Sequence, residues 1–151
     1  MYKRSAHVLF LGTGGPCQSQ MAAGWANHLS GGRIVARSTV IGPHGTNSCS
    51  CAVTVMGEAG VDISRQPSLC LVPGMLAWAD LVVTVCRGAD EQCPALPAGV
   101  QKRHWPLANP IQGSENEAGV LQSWRMLRDD IRSRVEGMIG GMKMLERMDA
   151  D

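Results

Sequence analysis

Six cysteines are the residues best suited to do chemistry: Cys17, Cys49, Cys51, Cys70, Cys86 and Cys93. A thiolate can act as nucleophile, redox centre or soft-metal ligand, so the surroundings of each decide its use. Cys17 lies in the run Gly12, Thr13, Gly14, Gly15, Pro16, Cys17, Gln18 and Ser19, directly after the apolar stretch Val8 to Leu11. A buried strand, a Gly-rich turn and a helix in that order form an anion cradle. The turn's N–H groups point inward and the helix N-terminus adds partial positive charge. The run is neither a Walker motif nor a dinucleotide fingerprint, and Pro16 removes one donor. A tight strand-to-helix turn that needs glycine explains the same residues.

These residues need a scaffold. The chain has 151 residues, the size of one domain, and a domain this long buries roughly 70% of its unfolded surface. It therefore needs neither disulfides nor metal to fold. Fourteen Lys and Arg against 13 Asp and Glu leave a net charge of +1, which excludes a nucleic-acid binder working through a strong positive field. No apolar run approaches the length of a membrane span. The stretch Val8 to Leu11 is too short for a signal-peptide core, so the expected location is cytoplasmic. There thiols stay reduced, and the cysteines are expected to be reactive, metal-binding or buried rather than bridged.

Periodicity predicts a first strand over Val8 to Leu11, then a helix capped by Ser19 and carrying Met21, Ala22, Trp25 and Leu29. A strand over 33–40, a helix over 51–60, a short helix over 74–79 and a strongly buried strand over 80–86 follow. Residues 87–99 read as loop and 101–105 as a short strand. After Glu115 a long helix presents Val120, Trp124, Leu127, Ile131, Val135 and Met138 on one stripe. Gly140 and Gly141 are expected to interrupt it, separating a domain over 1–139 from a Met-rich extension over 140–151. A Met-rich stripe suits core packing or self-association. Alternating strands and helices give an α/β class with a mainly parallel sheet. His7 precedes a strand, His28 lies in the first helix and His104 suits packing.

Several segments resemble thioredoxin-coupled arsenate reductases of the low-molecular-weight protein tyrosine phosphatase superfamily. They are TGGPCQSQMAAGWANHLSGGRIVARS from Thr13, PHG at 43–45, EAGVDIS at 58–64, WADLVVTVC at 78–86, ADEQCP at 89–94, HWPL at 104–107 and RDDIRSRVEGM at 128–138. The resemblance implies a single-domain, four-stranded parallel sheet flanked by helices, with the anion loop at its carboxyl edge. It also implies a nucleophilic Cys and an oxyanion-clamping Arg in a Cys-x5-Arg-Ser/Thr loop, and an Asp-Pro general acid. A second and a third Cys pass the oxidation on to a disulfide that a thioredoxin-like partner reduces.

This chain departs from that pattern at three positions. Gly12 stands at the nucleophile, Gln18 at the clamp and Asn109, before Pro110, at the acid. Glycine has no nucleophile, a neutral amide cannot compensate a dianion, and an amide has no carboxyl proton to give. The relay positions are kept: Cys86 and Cys93 match the second and third cysteines, and Cys17 matches a further Cys inside the loop. A Cys-x6-Cys pair can cycle between dithiol and disulfide. Cys49, Cys51 and Cys70 are additions, with His44 close in sequence to the Cys-x-Cys pair. They are the candidate ligands for a soft metal or trivalent arsenic, against a plain reading as small buried residues. Three functions follow: a degenerate homologue that binds a small anion, a metalloid or a partner; a thiol-relay oxyanion reductase; or a soft-metal or arsenite binder.

Overall fold

Val8, Leu9, Phe10 and Leu11 are all buried, as a strand covered on both faces requires. They form the middle of β1 (Ala6–Thr13), which pairs in parallel with β2 (Ile34–Ile41) on one side and β3 (Leu81–Thr84) on the other. Outside β3 lies β4 (Gln101–His104), also parallel. The strand order β2-β1-β3-β4 is the four-stranded parallel sheet that the resemblance implies. The computed structural model describes residues 5–14, 16–42, 49–67 and 69–150, with side chains as far as 144.

Alternation along β1 divides the core. Val8 and Phe10 face a cluster built with α1 (Cys17–Leu29), α2 (Ser50–Glu58) and α5 (Val120–Ala150). Leu9 and Leu11 face a smaller cluster with α3 (Pro73–Trp78) and Ala89 of α4 (Arg87–Gln92). The stripe Val120, Trp124, Leu127, Ile131, Val135 and Met138 is buried as its spacing predicts. β4, with the sequence Gln-Lys-Arg-His, is exposed along its length; charge on an outer strand discourages pairing with another chain.

Three expectations about the elements are corrected. Residues 87–92 are a helix rather than loop. Its signal is not apolar periodicity but a cap, since Cys86 Sγ accepts the Ala89 N–H, and an i,i+4 pair between Arg87 and Glu91. The first helix begins at Cys17, two residues before Ser19. Ser19 is buried inside it and donates to the Pro16 carbonyl at 3.0 Å. Finally, α5 runs through Gly140 and Gly141 without a break. Each glycine costs about 1 kcal/mol against alanine, but Met138 and Ile139 are buried and Met142 packs on the main cluster, which holds the turn helical.

Charge fixes α2 to α5. Glu58 accepts from Arg125 Nη2 at 2.8 Å and from Arg128 Nη1 at 3.1 Å, and Arg128 also donates to the Val55 carbonyl. The Arg125 hydrogen bond is the main cause that holds the Glu58 carboxyl down at about 2. A depressed folded-state value stabilises above the ordinary glutamate range and loses that contribution as pH falls toward 2. Acid unfolding of Glu58→Gln is therefore expected to show a shallower loss of stability between about pH 5 and 2, read by circular dichroism. Ile131→Ala, at a fully buried site, is expected to cost about 2–5 kcal/mol in a urea melt.

Candidate functional site

The carboxyl ends of the parallel strands deliver the chemistry to one edge. β1 ends at Thr13, level with Ile41 of β2. Gly14 turns the chain with φ +77°, a conformation that glycine adopts without a steric cost. Pro16 then precedes α1, and its carbonyl takes the N–H of Gln20 at 2.9 Å. Gly15 lies outside the described residues. Gln18 Nε2 donates to the Ala108 carbonyl at 3.1 Å, tying the loop to the segment that carries Asn109.

Thr13 also links the loop to Cys86. Its Oγ1 lies 3.1 Å from Cys86 Sγ, which in turn accepts the Ala89 N–H at 3.4 Å. Gly88 makes this approach possible: a Cβ there would sit 2.7 Å from Thr13 Oγ1. Cys86 caps the start of α4 and Cys93 its end. Seven residues apart along a helix, their Cα atoms are separated by on the order of 10 Å, beyond the roughly 7 Å that a disulfide spans. Burial pushes the Cys93 thiol up, and the charge of Lys102 works against that shift. Lys102 Nζ is bound to the Asp90 carboxylate at 2.8 Å, which lowers the Asp90 carboxyl, chiefly through that hydrogen bond. Thr84 Oγ1 meets His104 Nδ1 at 2.8 Å. This polar group around α4 left no motif in the sequence, because its members come from β3, α4 and β4.

The added cysteines separate. Cys49, at the start of α2, is disulfide-bonded to Cys17, at the start of α1, with Cα atoms 5.5 Å apart. This corrects the expectation of unbridged thiols. β1 and β2 are parallel neighbours, so the helices that follow them begin side by side. The sequence signal was a cysteine at the first turn of each. Cys51 is buried, its Sγ 3.9 Å from the Gly113 carbonyl; burial, and secondarily Glu115, push its thiol up. Cys70 is exposed beside Val40 at the β2 edge. His44 lies outside the described residues. Among the described residues, no three His, Cys, Asp or Glu side chains group as a metal site, and no helix is long and apolar enough to cross a membrane.

Residues 7–150 match the low molecular weight phosphotyrosine protein phosphatase family. An arsenate reductase of Bacillus licheniformis is 39% identical over 129 residues, covering 85% of this chain and 91% of that protein. Among solved structures, a thioredoxin-dependent arsenate reductase of Corynebacterium glutamicum superposes with a TM-score of 0.73 at 21% identity. The match covers 95% of this chain and 65% of that longer one. A low molecular weight protein tyrosine phosphatase from T. tengcongensis gives 0.68 at 25% identity, over 91% and 99% of the two chains.

The bonding pattern is open to a direct count. Cys51, Cys70, Cys86 and Cys93 are free and Cys17 and Cys49 are bridged. Protein denatured without reductant is expected to titrate as four thiols and, after reduction, as six. Peptide mapping is expected to recover Cys17 joined to Cys49; six thiols before reduction would contradict the bridge.

Proposed function

The chain belongs to the low molecular weight phosphotyrosine protein phosphatase family and is arsenate-reductase-like within it; from that premise we propose that it binds its ligand without performing the family's first chemical step. One observation carries this reading: the side chain at the clamp position, Gln18, spends its amide on the Ala108 carbonyl while Gly12, at the end of β1, offers no nucleophile. A tetrahedral oxyanion would find backbone N–H groups and a helix N-terminus here, but no guanidinium at the clamp position to pair with its charge. Asn109 could hydrogen-bond such a ligand but has no carboxyl proton to hand to a leaving oxygen. What remains at the clamp and acid positions is polar and uncharged, suited to a small anion held weakly, a metalloid or a partner. Loss of a nucleophile alone costs several powers of ten in rate.

A second reading has its own observation. Cys86 is held by Thr13 Oγ1 and the Ala89 N–H, as a thiol kept in place for attack would be. In that reading Cys86 and Cys93 reduce an oxyanion such as arsenate, two thiols giving one disulfide, arsenite and water. A thioredoxin-like dithiol then restores them, as the name of the Corynebacterium relative suggests for that protein. The relay requires α4 to unwind, because the helix holds the two cysteines apart.

Arsenate consumption coupled to thioredoxin, thioredoxin reductase and NADPH separates the two. The native chain is expected to show no turnover above background. The triple variant Gly12→Cys, Gln18→Arg and Asn109→Asp is expected to gain it, because the scaffold is in place. Native turnover that Cys86→Ser abolishes would establish the relay reading instead.

A further inference from the structure

Breaking one bond turns the mouth of the loop into a pair of thiols, and we propose that reduced Cys17 and Cys49 form a two-sulfur site for trivalent arsenicals, closed when the pair is a disulfide. The inference rests on the reading that this chain binds rather than turns over, and it names the ligand class and the atoms that take it.

Geometry comes first. Two sulfurs near enough to bond each other across 5.5 Å of Cα separation can also bridge one larger soft atom by a modest rotation about each Cα–Cβ bond. Both residues are half-buried, so a small ligand reaches them while one side stays shielded by the main apolar cluster on which they pack.

Charge agrees. Cys17 opens the 13-residue α1 and Cys49 immediately precedes the nine-residue α2, and neither helix has an acidic residue in its first turn. Partial positive charge at helix N-termini favours thiolates, the form that binds soft atoms. The adjoining Gln18 is neutral, which suits an uncharged ligand such as a trivalent arsenical better than a dianionic oxyanion.

The number of ligands selects the class. Cys51 is buried with its thiol pushed up, and no three metal-binding side chains group among the described residues. Zinc in a structural site takes four protein ligands and is poorly served here. A monosubstituted trivalent arsenical needs only two. Cys86 and Cys93, the other candidate pair, are held apart by α4.

The steps balance. An external dithiol reduces the bridge by exchange, yielding two protein thiols and its own disulfide. The two thiols then condense with an arsine oxide: two S–H bonds and the As–O bond break, two As–S bonds form, and one water leaves. Arsenic remains trivalent throughout.

The probe is phenylarsine oxide, added to full-length protein that has been reduced and freed of reductant under anaerobic conditions. Intact mass spectrometry is expected to show one phenylarsenic per chain, and alkylation mapping to show Cys17 and Cys49 protected. Unreduced protein is expected to take up none at this pair. Cys17→Ser and Cys49→Ser are each expected to weaken retention at least about 100-fold, because the second As–S bond is gained intramolecularly. Cys70→Ser is expected to leave it unchanged. Circular dichroism of each variant separates lost binding from lost fold, and competition with 2,3-dimercaptopropanol reads affinity without assuming activity. Protection of Cys86 and Cys93 alone, a requirement for Cys51 or Cys70, or equal uptake by the unreduced chain would overturn the proposal. The coupled arsenate assay on the same samples keeps the premise separate: turnover defeats the binding reading, whereas failed capture without turnover defeats only this site.

Discussion

Everything at the site depends on β1 being paired in parallel on both edges. Its neighbours β2 and β3 fix Thr13 beside Ile41 and Leu11 beside Thr84, and burial on both faces leaves the strand no freedom to slip, since a one-residue shift would exchange its two apolar sets. Because the strands run the same way, the turns after β1, β2 and β3 emerge together. The order reverses between β1 and β3, the place where open α/β sheets hold ligands. The loop, the first turns of α1 and α2, and the cap of α4 are neighbours for that reason alone.

Within this frame the side chains at the edge are fitted to one another. Gln18 finds a carbonyl partner in Ala108 that keeps the loop and the segment around Asn109 together. Thr13, Cys86 and Gly88 fit one another closely. Elements carrying these residues are held by apolar contacts and main-chain hydrogen bonds below the edge, so the cost of changing a residue at the edge falls on binding and rate more than on folding.

How much was legible in the sequence follows from where each signal is stored. Strands β1 and β3 and the α5 stripe carry their own periodicity, so they were readable locally. The helix α4 has no apolar repeat; it exists because Cys86 caps it and because Ala89 packs beneath Leu9 and Leu11, neither of which a window of sequence reveals. Gly140 and Gly141 misled for the opposite reason, since tertiary packing of Met138, Ile139 and Met142 overrides a weak local preference. The cysteines divide in the same way. Cys86 and Cys93 stand out only through the family resemblance, and the Cys17 to Cys49 bond joins residues 32 apart, which only the register of β1 with β2 makes adjacent.

That bond also bears on what holds the loop. A cradle that binds an anion through a guanidinium draws order from its ligand, because anything that binds only the folded state stabilises it. On the proposed reading, with the neutral Gln18 at the clamp position, this source is weak. A cross-link closing a loop of 32 residues removes chain entropy from the unfolded state worth about 4 kcal/mol in the usual estimate, and it acts at the same place, between the first turns of α1 and α2. On the proposed reading, the order that a charged ligand would supply comes here from a covalent cross-link. Unlike an anion's contribution, this one is set by the redox conditions and is indifferent to phosphate or arsenate. Reduction therefore does two things at once: it loosens the mouth of the loop and exposes the sulfurs that a soft ligand could tie together again.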